Sequence, residues 1–131
     1  MNEIFDKQSK LLQLLATKRP EYLQPSVLPR CTKGNLVAYI KDMQYFLNVE
    51  VQELIMAIGN EDSAVFKPWK ATYAIKQAES YEPKLVVQNE AVDVLCFAIN
   101  ICLAVGIKPN EINAIYKEIN SNNINRQQEG Y

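Results

Sequence analysis

The feature that most limits this fold is a spacing. Leu36, Ile40, Met43, Leu47, Leu54 and Ala57 recur at three-, four- or seven-residue steps, which places them on one face of an α-helix. No β-type alternation and no internal repeat stands out elsewhere in the 131 residues. A first helix reads from Asn2 to Lys18, with Ile4, Leu11, Leu12, Leu15 and Phe5 as its apolar stripe. Pro20, Pro25 and Pro29 then make a loop that cannot be helical throughout. Thr32 or Asn35 caps a second helix that runs to about Ile58 and stops at Gly59. Asn60 to Pro68 is a polar loop, followed by a short helix from Trp69 to about Ser80. Pro83 opens a helix from Lys84 to Val105 that stops at Gly106. A last helix starts near Pro109-Asn110-Glu111 and fades near Asn120, leaving a polar tail over Ser121 to Tyr131. The expected architecture is a single all-α domain over 1–131, a four- or five-helix bundle.

Composition removes whole classes of chemistry. The chain has no histidine, which excludes Ser-His-Asp and Cys-His catalysis and His-liganded zinc. Cys31, Cys96 and Cys102 are odd in number, form no C-x-x-C, and read as free thiols in a reducing cytoplasm. A net charge of −1, with the 14 basic residues scattered, gives no electrostatic footprint for nucleic acid. No signal peptide fits the start, because Glu3, Asp6 and Lys7 interrupt it. The apolar run Val94 to Ile107 is shorter than the roughly 20 residues of a membrane span. A soluble protein, without membrane or nucleic-acid partners, is expected.

The chemistry-bearing residues are carboxylates in the wrong place. The core stripe of the second helix continues into Glu50, with Glu53 three residues on. That spacing puts the two acids about 60° apart and near 4.5 Å along the axis. The fourth helix is apolar on nearly every side and is expected to be central and buried, yet it carries Glu90 and Asp93. With Asn100 they fall within an arc of roughly 80°. Four inward carboxylates cannot all stay ionised side by side without a cation. A hard divalent ion with oxygen ligands answers that, and Mg²⁺ is the usual ion where phosphates complete the shell. Inward carboxylates of a di-iron bundle need E-x-x-H histidines, and there are none. A single such pair on a solvated face would carry little weight; two pairs on apolar faces carry much more.

E-x-x-E on one helix and E-x-x-D on another resembles the signature of the all-α NTP pyrophosphatases, the MazG-like class. Within that class the chain looks most like the dimeric dUTPases and the phage-type dCTP/dUTP pyrophosphatases. Ser63 to Lys70 resembles their W-K-x-W-K segment, and Glu90 to Phe97 their E-L-V-D-I-x-H-F. Asn120 to Tyr131 resembles K-N-x-x-N-x-x-R-Q-x-x-G-Y. The three motifs occur in order, over roughly Thr32 to Tyr131.

The resemblance implies an enzyme that hydrolyses dUTP or dCTP to the monophosphate and pyrophosphate, in the cytoplasm, or in a host's cytoplasm for a phage protein. Glu50, Glu53, Glu90 and Asp93 would hold Mg²⁺, and Glu53, beside Glu50, would deprotonate the attacking water. Asn123 and Arg126 match phosphate contacts on a tail, 121–131, that closes the site; Lys67 and Lys70 would also meet phosphate. Phe66 or Trp69 would stack on the base, unless they pack in the core. Gln8 stands where the family reads the base, and Asn100 would line the pocket near the sugar or satisfy a buried backbone group. Subunits would pair as a homodimer or a dimer of dimers. The chain departs from the pattern in three places. Ile119 stands where the family has a lysine, Cys96 where it has a histidine, and Leu11 and Leu12 where strict dUTPases place an asparagine, which leans toward a dUTP/dCTP enzyme. Two other readings stay open: a broader MazG-like enzyme that clears non-standard nucleotides, and a non-catalytic nucleotide-binding helical module.

Overall fold

A computed structural model describes residues 1–18, 31–59 and 63–130. The expected proline loop and the start of the loop after Gly59 lie outside the described residues, as does Tyr131 of the tail motif. Every regular element described is helical: α1 (Asn2–Lys18), α2 (Lys33–Ile58), α3 (Tyr73–Gln77), α4 (Leu85–Ala104) and α5 (Ile112–Gln128), with a 3₁₀ turn at Ser63–Val65. The all-α expectation holds.

Local chemistry sets the helix ends. The Thr32 hydroxyl accepts the Asn35 N–H at 3.0 Å, and the Asn35 side chain in return accepts the Thr32 hydroxyl at 2.6 Å and its backbone N–H at 3.4 Å. This reciprocal box satisfies donors that the first turn of α2 leaves open. At the end of α4, Gly106 takes φ +94°, a conformation that favours glycine. Its N–H reaches the Leu103 carbonyl and the Ile107 N–H the Cys102 carbonyl, a Schellman closure.

The chain divides into two compact units, Met1–Lys41 with Ile99–Tyr131, and Asp42–Ala98. The first has a core of Phe5, Leu12, Ile99 and Leu103, with Cys102 and Ile112 packed against it. Phe5 and Leu12 lie seven apart, so the buried face of α1 runs between them, past Gln8. The expected stripe holds at Phe5 and Leu12 but not at Ile4, Leu11 and Leu15, which are exposed. The burial of Phe5 and Leu12 turns Gln8 inward, and a buried partner for that amide makes this tolerable.

The second unit is built on the C-terminal part of α2 and the N-terminal part of α4. They run antiparallel. Phe46 meets Phe97 with ring centroids 5.7 Å apart, and farther up α2 Ala57 lines a cavity together with Val87. Met43, Ala64 and Val87 are its buried apolar residues. The 3₁₀ turn is tied to α3 by the Gln77 side-chain amide, which donates to the Val65 carbonyl. The ring of Phe66 occupies the space a side chain on Gly59 would need: a Cβ there would stand 2.5 Å from it.

Three expectations are corrected. The helix expected from Trp69 to Ser80 is only Tyr73–Gln77, because turns at Lys67–Lys70 and Lys70–Tyr73 precede it. The polar tail is not irregular; α5 runs through Gln128 and is exposed along almost all its length. Neighbouring turns of an Asn/Gln-rich segment can still complete the backbone ladder where its side chains face water. Last, α4 is not buried throughout. Ile99, Asn100, Leu103 and Ala104 are, but Leu85 is 71% and Val92 54% exposed. Length and composition would let α4 cross a membrane, at 20 residues and mean hydropathy 1.5. Glu90 and Asp93 near its middle are costly there.

Candidate active site

Glu50 lies on the inward face of α2, one turn beyond Phe46, and Glu53 follows at the edge of that face. Antiparallel α4 brings Glu90 to the same level. Glu50, Glu53 and Glu90 each offer an oxygen, and these three lie within 4.8 Å of one another. Glu50 and Glu90 are half-buried and Glu53 is exposed, so the cluster opens to solvent on the Glu53 side. Asp93 is exposed and stands outside this trio, yet its charge acts on Glu50.

Electrostatics within the cluster is unfavourable for the bare chain. Burial pushes the Glu50 carboxyl above its ordinary range, and the charges of Glu53, Asp93 and Glu90 and a hydrogen bond with Glu53 add to that. None of the four carboxylates makes an ion pair among the described residues. Oε2 of Glu50 and Oε2 of Glu90 are sealed from solvent with no hydrogen-bond partner. Buried oxygens left without donors call for a partner, and a cation would supply one. The donor set is all oxygen and fits Mg²⁺. Glu50, Glu53 and Glu90 would hold the ion, with Asp93 beside them.

Cys96 occupies the wall of the site. Burial raises its thiol pKa, and the Asp93 and Glu50 charges raise it further, which favours the neutral thiol. Phe46 against Phe97 closes the neighbouring turn with apolar surface. Sequence reasoning missed Phe46, whose signal was its place one turn before Glu50, although the ring is 38% exposed.

The other expected site residues separate into groups. Phe66, Lys67, Trp69 and Lys70 lie in the same unit as the cluster, on the segment between the 3₁₀ turn and α3. Phe66 uses part of its ring against Gly59, while Trp69 is 77% exposed. Gln8, Asn100, Asn123 and Arg126 belong to the other unit. There the Gln8 side-chain amide donates to Oδ1 of Asn100 at 2.8 Å, and Asn100 is 4% exposed. Asn123 and Arg126 share one face of α5 and are exposed.

Among known proteins, the chain is 31% identical to the dCTP pyrophosphatase of Enterobacteria phage T4 over 139 residues, covering 98% of this chain and 80% of that protein. The dCTP pyrophosphatase of Enterobacteria phage LZ5 is equally similar, over 140 residues and the same shares. The chain belongs to the dCTP pyrophosphatase family. It is a nucleoside triphosphate pyrophosphatase, a hydrolase, as its paired carboxylate motifs on α2 and α4 led one to expect. A DNA replication protein of Enterobacteria phage T4 is 30% identical over 124 residues, 86% of this pyrophosphatase but 31% of that protein. No family model matches the pyrophosphatase, and no solved structure matches it.

Proposed function

We propose that this pyrophosphatase acts on a deoxypyrimidine triphosphate, dCTP or dUTP, with Mg²⁺. The observation that carries the metal dependence is the pair of sealed, unpartnered oxygens on Glu50 and Glu90, within reach of Glu53. The names of the phage T4 and LZ5 relatives support dCTP, and Leu11 and Leu12 at the turn where strict dUTPases carry asparagine fit a site not confined to uracil.

In this reading Glu50, Glu53, Glu90 and Asp93 hold the ion, which when bound offsets negative charge on the phosphate oxygens. Glu53 faces solvent and takes a proton from the attacking water. The water oxygen bonds to the α-phosphorus. The bond from that phosphorus to the bridging oxygen breaks, and its electron pair leaves with pyrophosphate. Lys67, Lys70, Asn123 and Arg126 are proposed phosphate contacts, and Gln8, Asn100, Phe66 and Trp69 are proposed to serve the base and sugar. The chain acts as a homodimer or dimer of dimers in the cytoplasm; the exposed Leu85, Val86, Val92 and Leu95 of α4 support pairing.

Incubation with each of dCTP, dUTP, the other deoxynucleotides and the ribonucleotides, with and without Mg²⁺, followed by pyrophosphate detection, tests the proposal. Mg²⁺-dependent release from dCTP or dUTP alone is expected. Equal turnover of purine nucleotides would replace it with the broader housekeeping reading.

A further inference from the structure

The unit that holds the carboxylates also holds a cavity of about 390 Å³. The end of α2, the 3₁₀ turn, α3, the loop after it and the start of α4 enclose it. It adjoins the cluster on both helices. Ala57 lies four residues beyond Glu53, about 6 Å along α2, and Val87 three residues before Glu90, about 4.5 Å along α4. A phosphate chain held at the carboxylates therefore has space for its far end one helical turn away.

The cavity lining differs in charge from the cluster. The cluster is all acid, whereas the cavity carries Lys76 and Lys84 against Glu79 and Glu82, with the Ser80 hydroxyl between them. Lys76 reaches Glu79 at 3.1 Å. Lys84 makes no ion pair among the described residues, which leaves one ammonium group for an incoming anion. We propose that this cavity receives the β,γ-diphosphate end of the substrate, released as pyrophosphate, with Lys84 as its cationic contact. The assignment rests on the carboxylates being the place of hydrolysis. When the bond at the α-phosphorus breaks, the departing oxygen carries the electron pair, and Lys84 donates a hydrogen bond to the diphosphate.

Calorimetric titration of Mg²⁺ with inorganic pyrophosphate, and separately with dCMP, into the wild-type chain, Lys84→Met and the cavity-blocking Ser80→Trp tests this. Both substituted positions are exposed, so the fold is retained. Pyrophosphate affinity should fall about tenfold or more in each variant, through loss of one charge-assisted contact in Lys84→Met and through the filled cavity in Ser80→Trp, while dCMP affinity stays unchanged. Unchanged pyrophosphate affinity in both variants, or no pyrophosphate binding to the wild type, overturns the proposal. So does a loss confined to dCMP, which would give the cavity to the nucleoside end. Turnover of dCTP measured on the same wild-type sample separates the two failures: its presence keeps the catalytic reading while the cavity assignment falls.

Discussion

The two units of this chain place polar groups away from water in opposite ways. In the first, Asn100 is almost fully buried and its Oδ1 accepts the Gln8 amide at 2.8 Å, so a neutral group has a neutral partner inside an apolar core. In the second, Glu50 and Glu90 hold oxygens out of solvent with no donor, and like charges crowd them. A satisfied buried amide holds structure together. Unsatisfied carboxylates destabilise the bare chain and are kept for what they bind.

The largest expected effect is on catalysis. Glu53→Gln should lower turnover roughly a thousandfold, the range for loss of a positioned base, with the thermal unfolding midpoint barely moved. Retained turnover in a steady-state assay would remove Glu53 from proton transfer. Next comes the core of the first unit. Ile99→Ala deletes its most deeply buried side chain and should cost about 3 kcal/mol in urea unfolding. Asn100→Ala should cost about 2 kcal/mol by stranding Gln8. If Asn100→Ala leaves the unfolding free energy unchanged, the amide pair does not hold the core and the contrast between the units dissolves.

The smallest effect has the opposite sign. The folded chain holds the Glu50 proton to higher pH than its ordinary value of 4.5. The unfolded chain releases that proton first, so this contribution to stability is present in acid and is lost as pH rises through the raised value. Without divalent ions, the melting temperature of the wild type should fall from acid to neutral pH relative to Glu50→Gln. At neutral pH Glu50→Gln should be the more stable of the two. Added Mg²⁺ should raise the wild-type melting temperature more than that of the variant. Parallel melting curves for the two chains across pH would show that the cluster carries no repulsion.

Much of the fold could be read from the residues. Both ends of α2 and the C-terminal end of α4 follow from Thr32, Gly59 and Gly106, because capping and glycine chemistry act within a few residues. The carboxylate pairs were legible too, since an acid on an apolar helical face is a local anomaly. Where packing decides, the residues misled. Ile4, Leu11 and Leu15 are as apolar as Phe5 and Leu12, and only contact with Ile99 and Leu103 selects which pair is covered. The asparagine-rich tail looked irregular because its propensity is weak, yet it is helical through Gln128. Lys76, Ser80 and Lys84 belong to no motif, and nothing but the return of the chain against α2 brings them to one cavity.

The sequence by itself determined an all-helical chain, the absence of histidine chemistry and the four acids at helical spacing, because these depend on neighbours three or four positions away. Tertiary structure decided which oxygens meet. Glu50 and Glu53 stand forty and thirty-seven positions from Glu90 in the chain. Only the antiparallel docking of α2 on α4 brings their carboxylates within 4.8 Å and seals two oxygens away from water.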